Sequence, residues 1–244
     1  MKVKIIVPIA LKSFRINAKR EYEHFISKGR MFKDFTYDVE ILEEGEGPLT
    51  IESQYDSSMA EFGSISLVEK AEREGYDGVV IDCFCDAGYH ASREVVNIPV
   101  VGAFETSIRF AQLLGDRIGI VALGDNRFPS MRRRARAMGA EDSIVSISSV
   151  DMGVAELGSY KNRLIDGLEA SMIGAIENDA AEVLILGCTG MMGVAMAVQN
   201  RLKQKGYDVP VVNPAETCLR FMECLLVMGI KQSRMAYPMK SKKR

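Results

Sequence analysis

A formal net charge of −2 over 244 residues leaves no basic excess to grip a nucleic-acid backbone. With 47% hydrophobic and 26% charged residues, the chain can bury a substantial core, as one large domain or two small lobes. No apolar run approaches the ~20 residues that a bilayer span requires. The opening stretch MKVKIIVPIALKSFR turns basic after a short apolar core and has no small-residue cleavage site. It reads as a first strand, not an export signal. The five cysteines, Cys83, Cys85, Cys188, Cys218 and Cys224, are therefore expected to be reduced thiols in the cytoplasm. An odd count in a chain of this size does not suggest a disulfide scaffold.

Strand and helix patterns alternate along the chain. The strand-like runs are VKIIV (3–7), YDVEIL (37–42), GVVI (78–81), PVVGAF (99–104), RIGIVAL (117–123), SIVSI (143–147), VLIL (183–186) and VPVV (209–212). Short, β-branched runs of this kind suit strands covered on both faces, as in a parallel sheet. Between them, SLVEKAEREG (66–75) sets Leu67, Val68 and Ala71 on one helical face and stops at Gly75. FPSMRRRARAMG (128–139) begins with Pro129 and Ser130 and ends at Gly139. Its four arginines read as a solvated face or subunit contact ahead of a phosphate site. A last helix is predicted over 215–229, with Cys218 and Cys224 as core or interface residues. The basic end MKSKKR (239–244) reads as a solvated tail. The β-α-β-α order indicates an α/β fold with mostly parallel strands.

The chain also repeats itself. Placing Cys83 on Cys188 puts GVVI on VLIL and, upstream, Glu72 on Glu177. Downstream, Pro99-Val100-Val101 falls on Pro210-Val211-Val212, and ETSIRF (105–110) falls on ETCLRF (216–221) with four of six residues identical. KIIV (4–7) matches IGIV (118–121) more weakly. The repeat predicts two similar open parallel-sheet lobes related by a pseudo-twofold, with the active site in the cleft between them. The expected lobes are 1–103 plus 215–244, and 104–214.

Ligands of open α/β sheets bind outside the carboxyl ends of the strands. Cys83 and Cys188 both end such strands, each just before an expected helix N-terminus, where exposed N–H groups and the helix dipole favour a thiolate. Packing alone accounts for many single cysteines, but not for equivalent thiols at two equivalent strand ends. Facing each other, one thiolate takes a proton from one face of a carbon and the opposite thiol returns one to the other face. No metal, pyridoxal phosphate or nicotinamide is needed. Phe84 and Cys85 in one lobe, and Thr189 and Gly190 in the other, offer backbone N–H groups for substrate oxygens. Glu105 and Thr106, with Glu216 and Thr217, begin helices near the cleft, as substrate contacts or as helix caps. Two other readings of Cys85 stay open: a metal site with Cys83, Cys188 and His90, or a resolving thiol in a redox cycle. His90 otherwise reads as a surface or helix-cap residue.

At these residues the chain resembles the Asp/Glu/hydantoin racemase superfamily, in particular its hydantoin and allantoin racemase branch. CFCDAG (83–88) is similar to that branch's first cysteine motif, of the form C-F-x-D-P-G, and LGCTGM (186–191) to its second, L-G-C-A-G-M. PVVGAFET (99–106) and GPLTIES (47–53) also resemble segments of the branch. The resemblance covers nearly the whole chain. It implies a two-lobed, cofactor-independent racemase with Cys83 and Cys188 as the acid/base pair, assembled as a homo-oligomer, often a tetramer or hexamer. The chain departs from the pattern at several places. The family's Asn-rich substrate-binding segment after the first strand is here Pro8-Ile9-Ala10-Leu11-Lys12-Ser13, which leaves Pro8 and Ser13 as its candidate contacts. Ala87 stands for a proline, Cys85 for a common glycine, and Asp82 for a small residue.

The favoured reaction is 1,1-proton transfer at a carbon α to a carbonyl, on a 5-substituted hydantoin or allantoin. The lack of an arginine or lysine beside either cysteine motif favours such a cyclic amide over a free carboxylate. The alternatives are an aspartate/glutamate-type racemase, a related decarboxylase or cis–trans isomerase, and a small-molecule binding protein. Two cysteines are one too many for a one-thiol decarboxylase.

Overall fold

The computed structural model of the chain describes residues 1–12, 19, 22–23, 34–157, 159–191 and 193–239. The chain divides into two compact units. The first comprises Met1–Ile51, Tyr55–Ala103 and Cys218–Arg244; the second comprises Glu52–Gln54 and Phe104–Thr217. Among the described residues no helix is long and apolar enough to cross a membrane.

The first unit is built on four parallel strands, β1 (Lys2–Val7), β2 (Thr36–Ile41), β3 (Gly78–Ile81) and β4 (Val100–Gly102), in the order β2-β1-β3-β4. Helix α1 (Gln54–Arg73) crosses from β2 to β3, and α2 (Tyr89–Val95) from β3 to β4. The second unit repeats the plan. Strands β5 (Ile118–Leu123), β6 (Ile144–Val150), β7 (Val183–Leu186) and β8 (Val211–Val212) are parallel in the order β6-β5-β7-β8. Helix α3 (Ala103–Ala111) follows β4, and α4 (Phe128–Ala137), α5 (Lys161–Asp179) and α6 (Ala195–Gln204) connect the strands of this sheet. Helix α7 (Pro214–Met228) follows β8. The chain is thus an α/β protein with two similar parallel sheets. Strands β3, β5 and β7 are buried at every residue, as their unbroken apolar runs require.

The registers tie the repeat down residue by residue. Val79 pairs with Val100 and Val80 with Val101, while Leu184 pairs with Val211 and Ile185 with Val212. These are the residues that the Cys83–Cys188 and Pro99–Pro210 alignments equate. The weaker match is one residue out. Val3 pairs with Gly78, as Ile118 pairs with Val183, so β1 and β5 correspond from Val3 on Ile118, not from Lys4.

Other repeated positions carry repeated jobs. Glu72 accepts hydrogen bonds from the Asn97 and Ile98 amides, and Glu177 accepts one from the Tyr207 hydroxyl; each anchors the segment entering the last strand of its sheet. A glutamine carboxamide meets the first amide of each of these strands. Gln232 Oε1 accepts from Val100 N at 3.3 Å while its Nε2 donates to Ile98 O at 2.8 Å. Gln199 Oε1 accepts from Val211 N at 2.9 Å. Gly75 and Ala180 both end long helices in the left-handed region, at φ 77° and 52°. The glycine takes that conformation without penalty, whereas the alanine Cβ is strained there. Ala180→Gly is expected to stabilise the protein by about 1 kcal/mol, read as a raised midpoint in urea; an unchanged or lowered midpoint contradicts this account.

Lys4 on β1 is buried. Its Nζ lies 2.7 Å from Glu40 Oε2 and 3.5 Å from Glu74 Oε2, while Lys70 Nζ holds Glu40 Oε1 at 2.6 Å. Burial opposes both charges, but hydrogen bonding and attraction outweigh it. Glu40 stays below the usual carboxylate range and Lys4 above the usual ammonium range. The Glu40 contribution is therefore present above the unfolded carboxylate pKa and lost as pH falls through the lower folded value. The Lys4 contribution is present below the unfolded ammonium pKa and lost only as pH rises through the higher folded value. Lys4→Met is expected to cost about 2–3 kcal/mol at neutral pH, less than a fully buried pair because Lys70 still serves Glu40. Denaturant titrations at a series of pH values should show that gap narrowing in acid; a gap that is constant with pH rules the assignment out.

Several local expectations need correction. The helix expected from residue 66 is the second half of the longer α1, and the strand expected over 99–104 stops at Gly102, with α3 starting at Ala103. Of the two cysteines read as core or interface residues, Cys218 is buried, and Cys224 is exposed, which removes the core reading for Cys224. Ser13 and residues 240–244 of the basic tail lie outside the described residues.

Candidate active site

Each thiol terminates the strand at the third place in its sheet order, and the backbone around it is the same in both units. In the first, Asp82 N donates to Ile6 O at 2.8 Å, extending the β1–β3 ladder by one step. Cys83 O then accepts from Asp86 N at 3.0 Å, which closes a β-turn with Phe84 and Cys85 at its centre. In the second, Gly187 N donates to Val121 O at 2.7 Å, and Cys188 O accepts from Met191 N at 3.2 Å. Thr189 and Gly190 hold the central places there. The thiols therefore sit at the mouths of tight turns. The helices begin later, at Tyr89 and Ala195, which corrects the expectation of a helix N-terminus directly after each cysteine. The local amides are turn amides, and the dipole contribution, which fades within a turn of the helix end, is correspondingly smaller.

Phe84, Cys85, Cys188 and Thr189 are buried, Cys83 and Gly190 half-buried. Cys85 is not a bystander: its Sγ lies 3.1 Å from Cys83 Sγ, in hydrogen-bond contact. Pro8 is buried directly after β1, so the Ile6–Asp82 bond puts it at the same end of the first sheet as Cys83. Asp86 closes the first turn with φ 52°, a left-handed conformation that carries strain in a non-glycine residue.

In the second unit, β8 lies beside β7, and Asn213 follows it with its side chain buried. Glu216 and Thr217 occupy the first turn of α7. The Thr217 hydroxyl donates to Asn213 O at 2.8 Å, bonding back along the chain and not capping a free helix amide. Glu105 and Thr106 lie in the first turn of α3 and belong to the second unit, although the strand they follow belongs to the first. His90 is exposed and stacks on Tyr237, with ring planes 9° apart. Among the described residues no group of three or more histidine, cysteine, aspartate or glutamate side chains is arranged to hold a metal ion.

One residue escaped the sequence reading. Arg127, just before α4, is buried and its Nη2 donates to Gly187 O at 3.0 Å. A guanidinium thus lies against the residue that precedes Cys188, which corrects the view that neither cysteine motif has a cation beside it. Among the described residues Arg127 makes no ion pair with a carboxylate. Of the four arginines over 128–139, Arg132, Arg133 and Arg136 are exposed, with Arg136 pairing with Glu141 at 2.6 Å. Arg134 is half-buried with its guanidinium 4.7 Å from the Phe104 ring centroid, so the solvated-face reading holds for three of the four.

These features define an α/β protein of two parallel-sheet units, each presenting a cysteine at the carboxyl end of a central strand. The family described as Asp/Glu/Hydantoin racemase matches residues 28–222. The hydantoin racemase of Paenarthrobacter aurescens is 31% identical over 197 residues, covering 80% of this chain and 81% of that protein. The hydantoin racemase of Pseudomonas sp. (strain NS671) is 32% identical over 189 residues, covering 78% and 74%. In fold, the chain superposes on an allantoin racemase from Klebsiella pneumoniae with a TM-score of 0.86 and 22% identity, over 100% of this chain and 96% of the other. The chain belongs to the Asp/Glu/hydantoin racemase family, and is an isomerase.

Proposed function

We propose that the protein is a cofactor-independent racemase that inverts a carbon α to a carbonyl by a two-thiol proton transfer, with a 5-substituted hydantoin or allantoin as substrate. The observation that carries this reading is the duplicated turn. Cys83 and Cys188 occupy equivalent strand ends, with the same turn hydrogen bond behind each. One thiolate abstracts the α-proton, and the carbonyl oxygen takes up the charge as an enolate. The turn amides of Phe84, Cys85, Thr189 and Gly190 stabilise it, acting as an oxyanion hole does. The second thiol delivers a proton to the opposite face. Pro8, Glu105 and Thr106 complete the substrate contacts on this reading, Ser13 remaining a candidate from the resemblance. The assembly is a homo-oligomer, a tetramer or hexamer, which light scattering after gel filtration measures directly.

The buried Arg127 beside the Cys188 turn favours a second reading, in which the substrate carries a free carboxylate, as aspartate or glutamate does. Proton NMR in deuterium oxide tests both. Single enantiomers of 5-substituted hydantoins, allantoin, aspartate, glutamate and proline are followed for α-proton loss and chirality against enzyme-free blanks. Racemisation of a cyclic amide that disappears in Cys83→Ala and in Cys188→Ala supports the first reading; racemisation of a free amino acid alone supports the second. Inversion that persists without either thiol sinks both.

A further inference from the structure

The Cys83–Cys85 contact has no counterpart at the second turn, where Gly190 occupies the place of Cys85. The two sulfurs are 3.1 Å apart, within about 1 Å of the ~2.05 Å disulfide bond length. Their accessibilities are unequal, with Cys83 half-buried and Cys85 buried. Unequal access sets an order of events: a small oxidant reaches Cys83 first, with a second thiol already in place behind it. We propose that Cys83 and Cys85 form a reversible oxidation site, in which Cys85 resolves an oxidised Cys83 as an intramolecular disulfide.

With hydrogen peroxide as oxidant the chemistry balances in two steps. The Cys83 thiolate attacks one peroxide oxygen, the O–O bond breaks, and the protonated leaving oxygen departs as water, leaving a sulfenic acid on Cys83. The Cys85 sulfur then attacks the Cys83 sulfur, the S–O bond breaks, and a second water leaves with the Cys85 proton. Two thiols are oxidised by two electrons and one peroxide is reduced. A dithiol reductant reverses the result by thiol–disulfide exchange. Without Cys85, the sulfenic acid loses the thiol held 3.1 Å from it and is left to advance to the sulfinic acid. A consequence for turnover rests on the proposed role of Cys83 as an acid/base.

Trypsin provides a clean readout, because the peptide 74–93, bounded by Arg73 and Arg93, holds Cys83 and Cys85 and no other cysteine. The reduced full-length protein is treated with graded hydrogen peroxide, the remaining thiols are blocked by alkylation, and the digest is weighed. The expected result is a 74–93 peptide two hydrogens lighter and unalkylated, restored by dithiothreitol. It should form at lower peroxide than oxidation of the exposed Cys224 in its own peptide. In Cys85→Ser the lighter form should be absent and a form with two added oxygens should replace it. A wild-type peptide that only gains oxygen, or that stays reduced while Cys224 oxidises, overturns the proposal. Should the disulfide form while turnover is unchanged, the oxidation site stands and the acid/base role of Cys83 falls.

Discussion

Cys83→Ala and Cys188→Ala are each expected to lower racemisation by about 10²–10⁴-fold, the usual loss when a positioned acid or base is removed. The two variants should not be inert in the same way. A protein left with one thiolate can still take a proton from the enantiomer that presents it. In deuterium oxide it returns a deuteron to the same face. Each variant should therefore exchange the α-proton of one enantiomer with retention, and the two variants should prefer opposite enantiomers. Chiral chromatography coupled to mass spectrometry separates exchange from inversion. If both variants exchange the same enantiomer, the two-thiol assignment fails even though activity has dropped. The comparison also sets the racemase apart from a binding protein, whose ligand affinity should survive either substitution.

The second large effect is expected at Gly187. A Cβ there would lie 2.8 Å from Ala122 Cα and 3.0 Å from Val121 O, both backbone atoms of the fully buried β5. Neither can swing aside as a side-chain tip can. Gly187→Ala must push the end of β7 away from β5, and Cys188 is the next residue. A displacement of about 1 Å in a reacting group costs on the order of 10²-fold in rate, and overpacking of this kind costs about 1–3 kcal/mol of stability. Turnover should fall well beyond what the lowered melting point explains at the assay temperature. Near-normal turnover in a folded variant shows that the turn tolerates displacement and that its geometry is not what sets the rate.

Much of this was legible in the sequence, for physical reasons that differ by element. Strands such as GVVI and VLIL are buried on both faces, so they cannot dilute their apolar character, and the repeat carried their pairing with β4 and β8 to the residue. The first half of α1 was not legible because its pattern is inverted. It buries the small residues Ser57, Ala60, Gly63 and Ser64 and exposes Tyr55, Met59 and Phe62, so no apolar stripe marks the inward face. The delay between each cysteine and its helix was missed because the motifs mark where the strand ends, not where the next hydrogen-bonded helix begins. Arg127 was invisible for a topological reason: only the parallel pairing of β5 with β7 brings the segment after one strand beside the turn after the other. Cys85 was visible as a departure from the family pattern, but its distance from Cys83 was not.

The glutamines at Val100 and Val211 bear on how the protein behaves in concentrated solution. Strands β4 and β8 each form one edge of their sheet, opposite β2 and β6, and an edge strand offers unsatisfied amides and carbonyls on which another polypeptide can stack. Gln199 reaches β8 from helix α6, so its protection comes with the fold. Gln232 reaches β4 from the segment after the last helix, where Arg234 also donates to Arg93 O at 2.8 Å and Tyr237 O at 3.0 Å. That segment is held to the rest of the first unit by the Gln232 and Arg234 hydrogen bonds, and it would be lost with the chain's end. Proteolytic trimming near residue 230 would leave Gln199 in place on the β8 edge and strip Gln232 from the β4 edge, opening that edge to strand-by-strand polymerisation, and preparations clipped there should turn turbid with concentration while intact protein stays clear.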